Sequence, residues 1–196
     1  KAHISGFLGR YQDAIKCFDK ALEIDPEDLS LWYWKARAFG DLGNNDESIR
    51  LYDIILKKDP KYREAWNSKG IIFDDSGKYD EAIECYDRVL EIDPKYAKGW
   101  RNKGLVLGRL GKHKDAIECF DKALEIDPEY RDAWYVKGMA FGKLDSDDEA
   151  IRCYDKVIEL DPKFIPAWRN KGVIISNSGN QEMAIECFDK ALEIDP

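Results

Sequence analysis

GKHKDAIECFDKALEIDP, residues 111–128, decides the fold of this chain, because close versions of it recur along the whole sequence. Its closing Asp-Pro pair stands at Asp25-Pro26, Asp59-Pro60, Asp93-Pro94, Asp127-Pro128, Asp161-Pro162 and Asp195-Pro196, always at the same interval. A fixed period in the range of about 20–50 residues is the mark of one supersecondary unit stacked many times, which rules out a reading as one globular core. Within the stretch, Ala116, Ile117, Phe120, Ala123 and Leu124 fall on one stripe of a helix, and the opposite face is charged. Glu118 precedes Lys122 by four residues, a pairing worth roughly 0.2–0.5 kcal/mol on a solvated face. The proline after Asp127 stops the helix by disfavouring helical geometry in the residue before it.

Working outward from the stretch, each full unit reads as helix, short turn, helix. Trp100, Gly104 and Leu107 place a first helix over residues 97–110, Gly111 supplies a left-handed turn residue, and the second helix covers residues 113–126. The small residues Ala36, Gly70, Gly104, Gly138 and Gly172 are expected to face Ala14, Ser48, Ala82, Ala116, Ala150 and Ala184 on the second helices, letting the pair approach closely. A glycine inside a helix otherwise costs about 1 kcal/mol against alanine. The chain divides into a truncated repeat at residues 1–28 and further repeats at 29–62, 63–96, 97–130, 131–164 and 165–196. Residues 1–8 read as the tail of a first helix, so both ends are expected to cut a longer array.

The pattern Trp100, Gly104, Leu107, Gly111, Ala116, Phe120, Ala123, Pro128 resembles the tetratricopeptide repeat and spans essentially the whole chain. The resemblance implies an all-α solenoid, a right-handed superhelix of antiparallel helix pairs whose first helices line a concave face that holds a partner's peptide or helix. Two departures stand out. Lysine occupies positions 1, 35, 69, 103, 137 and 171, where the family usually has leucine, and it is expected to lay its methylenes on the packing and lift its amine to water. In the fifth repeat Asp145 replaces the turn glycine; Asp145, Asp147, Asp148 and Glu149 lack the spacing of a calcium loop and read as a helix start with acids in its first turn.

Composition limits function. Thirty-one basic against 39 acidic residues give a net charge of −8, which argues against nucleic acid or an anionic membrane as partner. No apolar run reaches membrane-spanning length and residues 1–10 hold no apolar signal core, so a cytoplasmic protein is expected. Cys17, Cys85, Cys119, Cys153 and Cys187 share one register, and equivalent positions on helices about 8–10 Å apart are too distant for a disulfide. Their odd number and the lack of a CxxC pair argue against a metal, leaving packing thiols. His3 and His113 are the only histidines; Gly138–Lys143 lacks phosphate-loop spacing, and the GxxxG pairs Gly104/Gly108 and Gly138/Gly142 have no membrane meaning here. No catalytic residue, cofactor or metal is expected, and the chain is not read as an enzyme.

Carrying the family's concave positions onto this sequence gives Tyr33, Trp34 and Arg37 on one helix, Asn67, Ser68 and Ile71 on the next, then Arg101, Asn102 and Leu105, then Tyr135, Val136 and Met139, and finally Arg169, Asn170 and Val173. Amide and guanidinium groups can bond a peptide backbone while aromatic and aliphatic neighbours take its side chains. On this face and its rim six basic residues (Arg37, Lys98, Arg101, Arg109, Lys143, Arg169) oppose five acidic ones (Asp41, Glu64, Asp74, Asp75, Asp132), against an acidic chain overall. A partner segment acidic toward the C-terminal half of the groove is therefore expected. The carboxylate clamp of chaperone-tail binders does not transfer, because Ile71, Leu105, Asp132 and Val136 occupy its positions. Ile185, Phe188 and Leu192 on the last helix are expected to be partly bare, which raises head-to-tail self-association as an alternative. A third reading is a fragment that recruits or regulates a catalytic domain in a longer chain.

Overall fold

The computed structural model describes residues 2–195, with side chains from residue 10 onward; Lys1 and the His3 side chain lie outside the described residues. All regular structure among them is helical: α1 Ala2–Ile24, α2 Leu29–Asp41, α3 Asn45–Lys58, α4 Arg63–Asp75, α5 Tyr79–Ile92, α6 Ala97–Arg109, α7 His113–Ile126, α8 Arg131–Gly142, α9 Asp147–Leu160, α10 Ile165–Asn177 and α11 Gln181–Ile194. They form two compact units, one ending at Pro94 with α1–α5 and one starting at Lys95 with α6–α11. In each unit every helix packs on the next in sequence, as an α-solenoid requires.

The turns follow from local chemistry. Gly43, Gly77, Gly111 and Gly179 have φ between 73° and 90°, and Asp145 takes the same left-handed place at 53°. A side chain there is disfavoured, and aspartate is among the few residues that tolerate it. The helix that follows carries Asp147, Asp148 and Glu149 in its first turn, but its cap, Ser146, makes no side-chain capping bond. Between repeats, Asp59, Asp127 and Asp161 leave the helical region ahead of proline, and their carboxylates accept the backbone N–H two residues on, at 2.9–3.1 Å. The indoles of Trp32, Trp66, Trp134 and Trp168 then donate to the carbonyls of Pro26, Pro60, Pro128 and Pro162 at 2.9–3.0 Å. The tryptophan that marks each repeat thus ties its first helix to the loop before it.

Four expectations are corrected. Residues 2–8 do not form a separate helix tail, because α1 runs unbroken from Ala2 to Ile24. Gly9 tolerates helical backbone as readily as a left-handed turn, so the residue itself does not force a break there. Cys17, expected to be a packing thiol, is exposed, while Cys85, Cys119, Cys153 and Cys187 are buried. The helical glycines face aromatic rings rather than chiefly the alanine set. A Cβ on Gly70, Gly104, Gly138 or Gly172 would stand 2.5–2.9 Å from a ring atom of Tyr86, Phe120, Tyr154 or Phe188. Finally, four of the lysine amines, expected simply to reach water, are held in ion pairs at the exposed side of the helices. Lys35, Lys69 and Lys137, each 15% exposed, pair with Asp19, Asp53 and Asp121 at 2.5–2.6 Å, and Lys171 pairs likewise with Asp155. The Lys35, Lys69 and Lys137 amines also lie 5.1–5.6 Å from the rings of Trp32, Trp66 and Trp134.

Burial pushes the Cys85 thiol up to about 12 and that of Cys153 to about 11, against which the neighbouring Lys69 and Lys137 pull only weakly. Their thiolate fraction is negligible near neutrality. In the native protein at pH 8, an alkylating reagent is expected to label Cys17 promptly and Cys85 and Cys153 only on denaturation, read by mass spectrometry; prompt labelling of the latter pair would contradict the packing. The two glycines of α6 give a second expectation. Gly104→Ala should lower stability by about 1–2 kcal/mol through displacement of the Phe120 ring, whereas Gly108→Ala, with nothing within 4 Å of its Cβ, should raise it by about 0.5–1 kcal/mol. Alanine fits the same register at Ala36, which is buried in one cluster with Tyr52, so the cost is a shifted ring. Urea melts of the two variants check both signs.

Candidate functional site

The anticipated binding residues sit on the first helices of the repeats, and the structure gathers them unequally. In the N-terminal unit, α2 and α4 enclose a cleft of about 360 Å³ with α3 at its base. Tyr33 and Arg37 of α2 and Asn67, Ser68 and Ile71 of α4 line it, so five of the residues anticipated on these helices converge. Ser48 forms part of the base and is fully buried; its hydroxyl donates to the Ala36 carbonyl at 2.7 Å. Asp41 and Asp75 add negative charge to the Arg37 side. Trp34 lies outside the cleft, half-exposed, with Tyr33 edge-on at 5.4 Å and the Arg37 guanidinium 5.3 Å from its ring.

The aromatic residues are less available than their sequence positions imply. Tyr33 packs against Tyr52 and Tyr62, and its hydroxyl lies 3.3 Å from Ser68 Oγ on the neighbouring first helix. Tyr135 repeats this in the C-terminal unit. It meets Phe164 edge-on at 5.1 Å, and its hydroxyl accepts from Asn170 Nδ2 at 3.2 Å. Each bond reaches one position beyond the repeat period, so it links successive first helices. Asn170 is therefore partly engaged within the protein, while Arg169 beside it is exposed.

In the C-terminal unit, Leu105 and Met139 come together with Val136 in a cleft of about 320 Å³ between α6 and α8. Arg101 stands one turn before Leu105 with its Nε buried and unpartnered, and its Nη1 is 3.3 Å from Asn102 Oδ1. Its charge reaches the partly buried Tyr130, opposing the upward push that desolvation gives that phenol.

Rim electrostatics differ from a count by sequence. Glu64 and Asp132, taken as groove acids, pair at 2.6 and 2.8 Å with Arg63 and Arg131, which also hold Asp93 and Asp161. Each of these arginines is shared between two carboxylates, so each cluster keeps one net negative charge. Arg63 and Arg131 share one register of the repeat, and Asp93 and Asp161 share another, so the matched registers were the available signal. Among the described residues no group of three or more His, Cys, Asp or Glu is placed to hold a metal ion, and no helix is long and apolar enough to cross a membrane. On α11, Met183, Ile185 and Leu192 are 48%, 57% and 59% exposed, and Phe188 is half-buried where Phe120 is 2% exposed.

Several solved structures share this architecture. MamA is 28% identical with a TM-score of 0.77, over 82% of this chain and 94% of its own. YrrB, described as a tetratricopeptide-repeat protein with an unusual peptide-binding site, is 27% identical with a TM-score of 0.72, over 91% and 92%. A tetratricopeptide-repeat protein from Parabacteroides merdae, 17% identical, shares the fold at a TM-score of 0.80, over 96% of this chain and 75% of its own. No curated protein matches the sequence. Three family models, each described as tetratricopeptide repeat, match residues 35–97, then 1–28, 97–130 and 132–164, and finally 17–50 and 153–186. With helix pairs recurring at a constant interval and these matches along its length, the chain belongs to the tetratricopeptide-repeat family.

Proposed function

We propose that this protein is a non-catalytic interaction scaffold whose first helices bind a segment of a partner protein. The observation that carries this reading is the convergence of Tyr33, Arg37, Asn67, Ser68 and Ile71 on one cleft, a mixture of hydrogen-bonding groups and exposed apolar surface suited to a peptide. The unusual peptide-binding site ascribed to YrrB supports it. The exposed Arg169, and Arg101, which is in no ion pair among the described residues, support a segment that is acidic toward the C-terminal half.

The decisive experiment is binding of the purified chain to an array of peptides, acidic, neutral and free at the C-terminus, beside Tyr33→Ala and Arg101→Glu variants. Selective binding is expected for the native protein. Acidic peptides should lose about tenfold or more in affinity with Arg101→Glu, in line with removing a charge-assisted contact. Affinity unchanged in both variants would reject the groove.

A second reading rests on α11. The exposed Met183, Ile185 and Leu192 favour docking of this face on another copy of the chain, head to tail. Sedimentation should then show mass rising with concentration for the native protein but not for Leu192→Glu; a constant monomer mass would discard it.

A further inference from the structure

Two carboxylates line the cleft between α2 and α4. Asp41 is the last residue of α2 and Asp75 the last of α4, one repeat apart, so the two stand at one end of the cleft. At that end the dipoles of both helices are negative, a place that favours a cation. Neither helix has a basic residue in its last turn, whereas α6 carries Arg109 at the same register. Among the described residues, the side chains of Asp41 and Asp75 enter no ion pair or hydrogen bond.

The rest of the lining fixes the charge balance. Arg37 is the one cation among the residues that line the cleft, and its guanidinium lies 5.3 Å from the ring of Trp34, which is outside it. Were Arg37 to swing to Asp41, one turn away on the same helix, Asp75 would still lack a cation. One negative charge is left over in either arrangement. Both aspartates are exposed, and water solvates them in the free protein. A segment laid over the cleft strips that water away, and an ionised carboxylate covered without a partner is costly. The apolar part of the lining narrows the match further. Ile71, 42% exposed, stands one turn before Asp75 on α4, and Tyr33 of α2 forms part of the other wall. An apolar wall that leads to a carboxylate suits a side chain with a hydrocarbon stem and a charged tip. A metal ion is a poorer match, because among the described residues no third His, Cys, Asp or Glu joins the pair.

Resting on the scaffold reading, we infer that the cleft between α2 and α4 takes one basic side chain, lysine or arginine, of the partner segment. Its stem lies on Ile71 and Tyr33, and its cationic head meets Asp41 and Asp75. The four-residue step from Ile71 to Asp75 is about 6 Å along the helix, at a rise of about 1.5 Å per residue, which a stem of three or four carbons spans. Arginine offers donors on two edges to the two carboxylates, whereas lysine serves as a single point charge. An acidic side chain at this position is rejected, so the cleft excludes segments that are acidic throughout.

Fluorescence anisotropy tests this on the purified chain with pools of labelled dodecapeptides. Each pool has one fixed central residue, Arg, Lys, Gln, norleucine or Glu, and a mixture of Ala, Ser, Gly and Leu elsewhere. The native protein is expected to bind the Arg and Lys pools about tenfold or more tightly than the Gln pool, in line with one charge-assisted contact, and the Glu pool most weakly. The double variant Asp41→Asn, Asp75→Asn should lose that preference, and Asp41→Lys with Asp75→Lys should bind the Glu pool best. Neither should melt below the native protein, since an amide or a cation replaces an acid at a helix C-terminus; if either does, Asp75→Asn alone takes its place, with partial loss of the preference expected. Equal affinity of the native protein for the Arg and Gln pools, a norleucine pool bound as well as the Lys pool, or a preference that survives in the asparagine variants overturns the cationic occupant. Pools bound without regard to the central charge but lost in Ile71→Glu overturn it while leaving the scaffold reading intact. Failure of every pool and of the acidic peptides to bind the native protein removes both.

Discussion

The contact on which four of the helix pairs depend is a ring against a backbone glycine. Tyr86, Phe120 and Tyr154 are at most 2% exposed, and each lies where a glycine of the partner helix has no side chain. That fixes how closely the two helices approach, and therefore where every other first-helix residue stands. The glycine gives up helix propensity of about 1 kcal/mol, which complete burial of an aromatic ring exceeds. Where a ring has less around it, as at Phe188, the same register remains but burial is incomplete. The repeat is thus specified by a small residue, glycine or alanine, in its first helix and a ring at a fixed register of its second.

This explains which features were legible in the sequence. The Asp-Pro pairs, the turn glycines and the apolar stripe act on their own neighbours, so a single period exposes them, and α7 spans residues 113–126 as its pattern implies. What the lysines do was not legible, because it depends on the helix that precedes theirs. Leucine's usual position filled by lysine suggested an amine reaching water, yet Lys69 meets Asp53 at 2.6 Å with the Trp66 ring beside it. The aspartates at 19, 53, 121 and 155 share the lysines' period, and reading the two registers together would have paired them. A partly buried pair of this kind contributes less to net stability than its short distance suggests, since desolvation offsets much of the attraction.

The candidate surface was legible in its membership but not in its state. Register alone collected Tyr33, Asn67 and Ile71 on one face, and the cleft contains them. Register could not reveal that Tyr33 and Tyr135 reach the next first helix to meet Ser68 and Asn170, because that bond crosses the repeat period. Nor could it reveal that Glu64 and Asp132 are held by the arginines immediately before them. Such internal pairing makes a surface more rigid before any partner arrives, which lowers the entropy lost on binding. It also removes groups from the set that a partner can use.

Two glycines spaced four apart show how little a motif says without its surroundings. In Gly104 the absent Cβ is answered by Phe120 from the adjoining helix; in Gly108 it is answered by nothing. The pair has no membrane meaning, but the same pattern on one soluble helix both closes a core and opens a cavity. The difference lies in what the neighbouring helix offers at each height: a ring at the first and open space at the second. A repeat protein can therefore vary its surface by exchanging a residue such as Gly108 without touching the contact that spaces its helices. Core glycines and surface glycines in this chain are under separate constraints even when they are one turn apart.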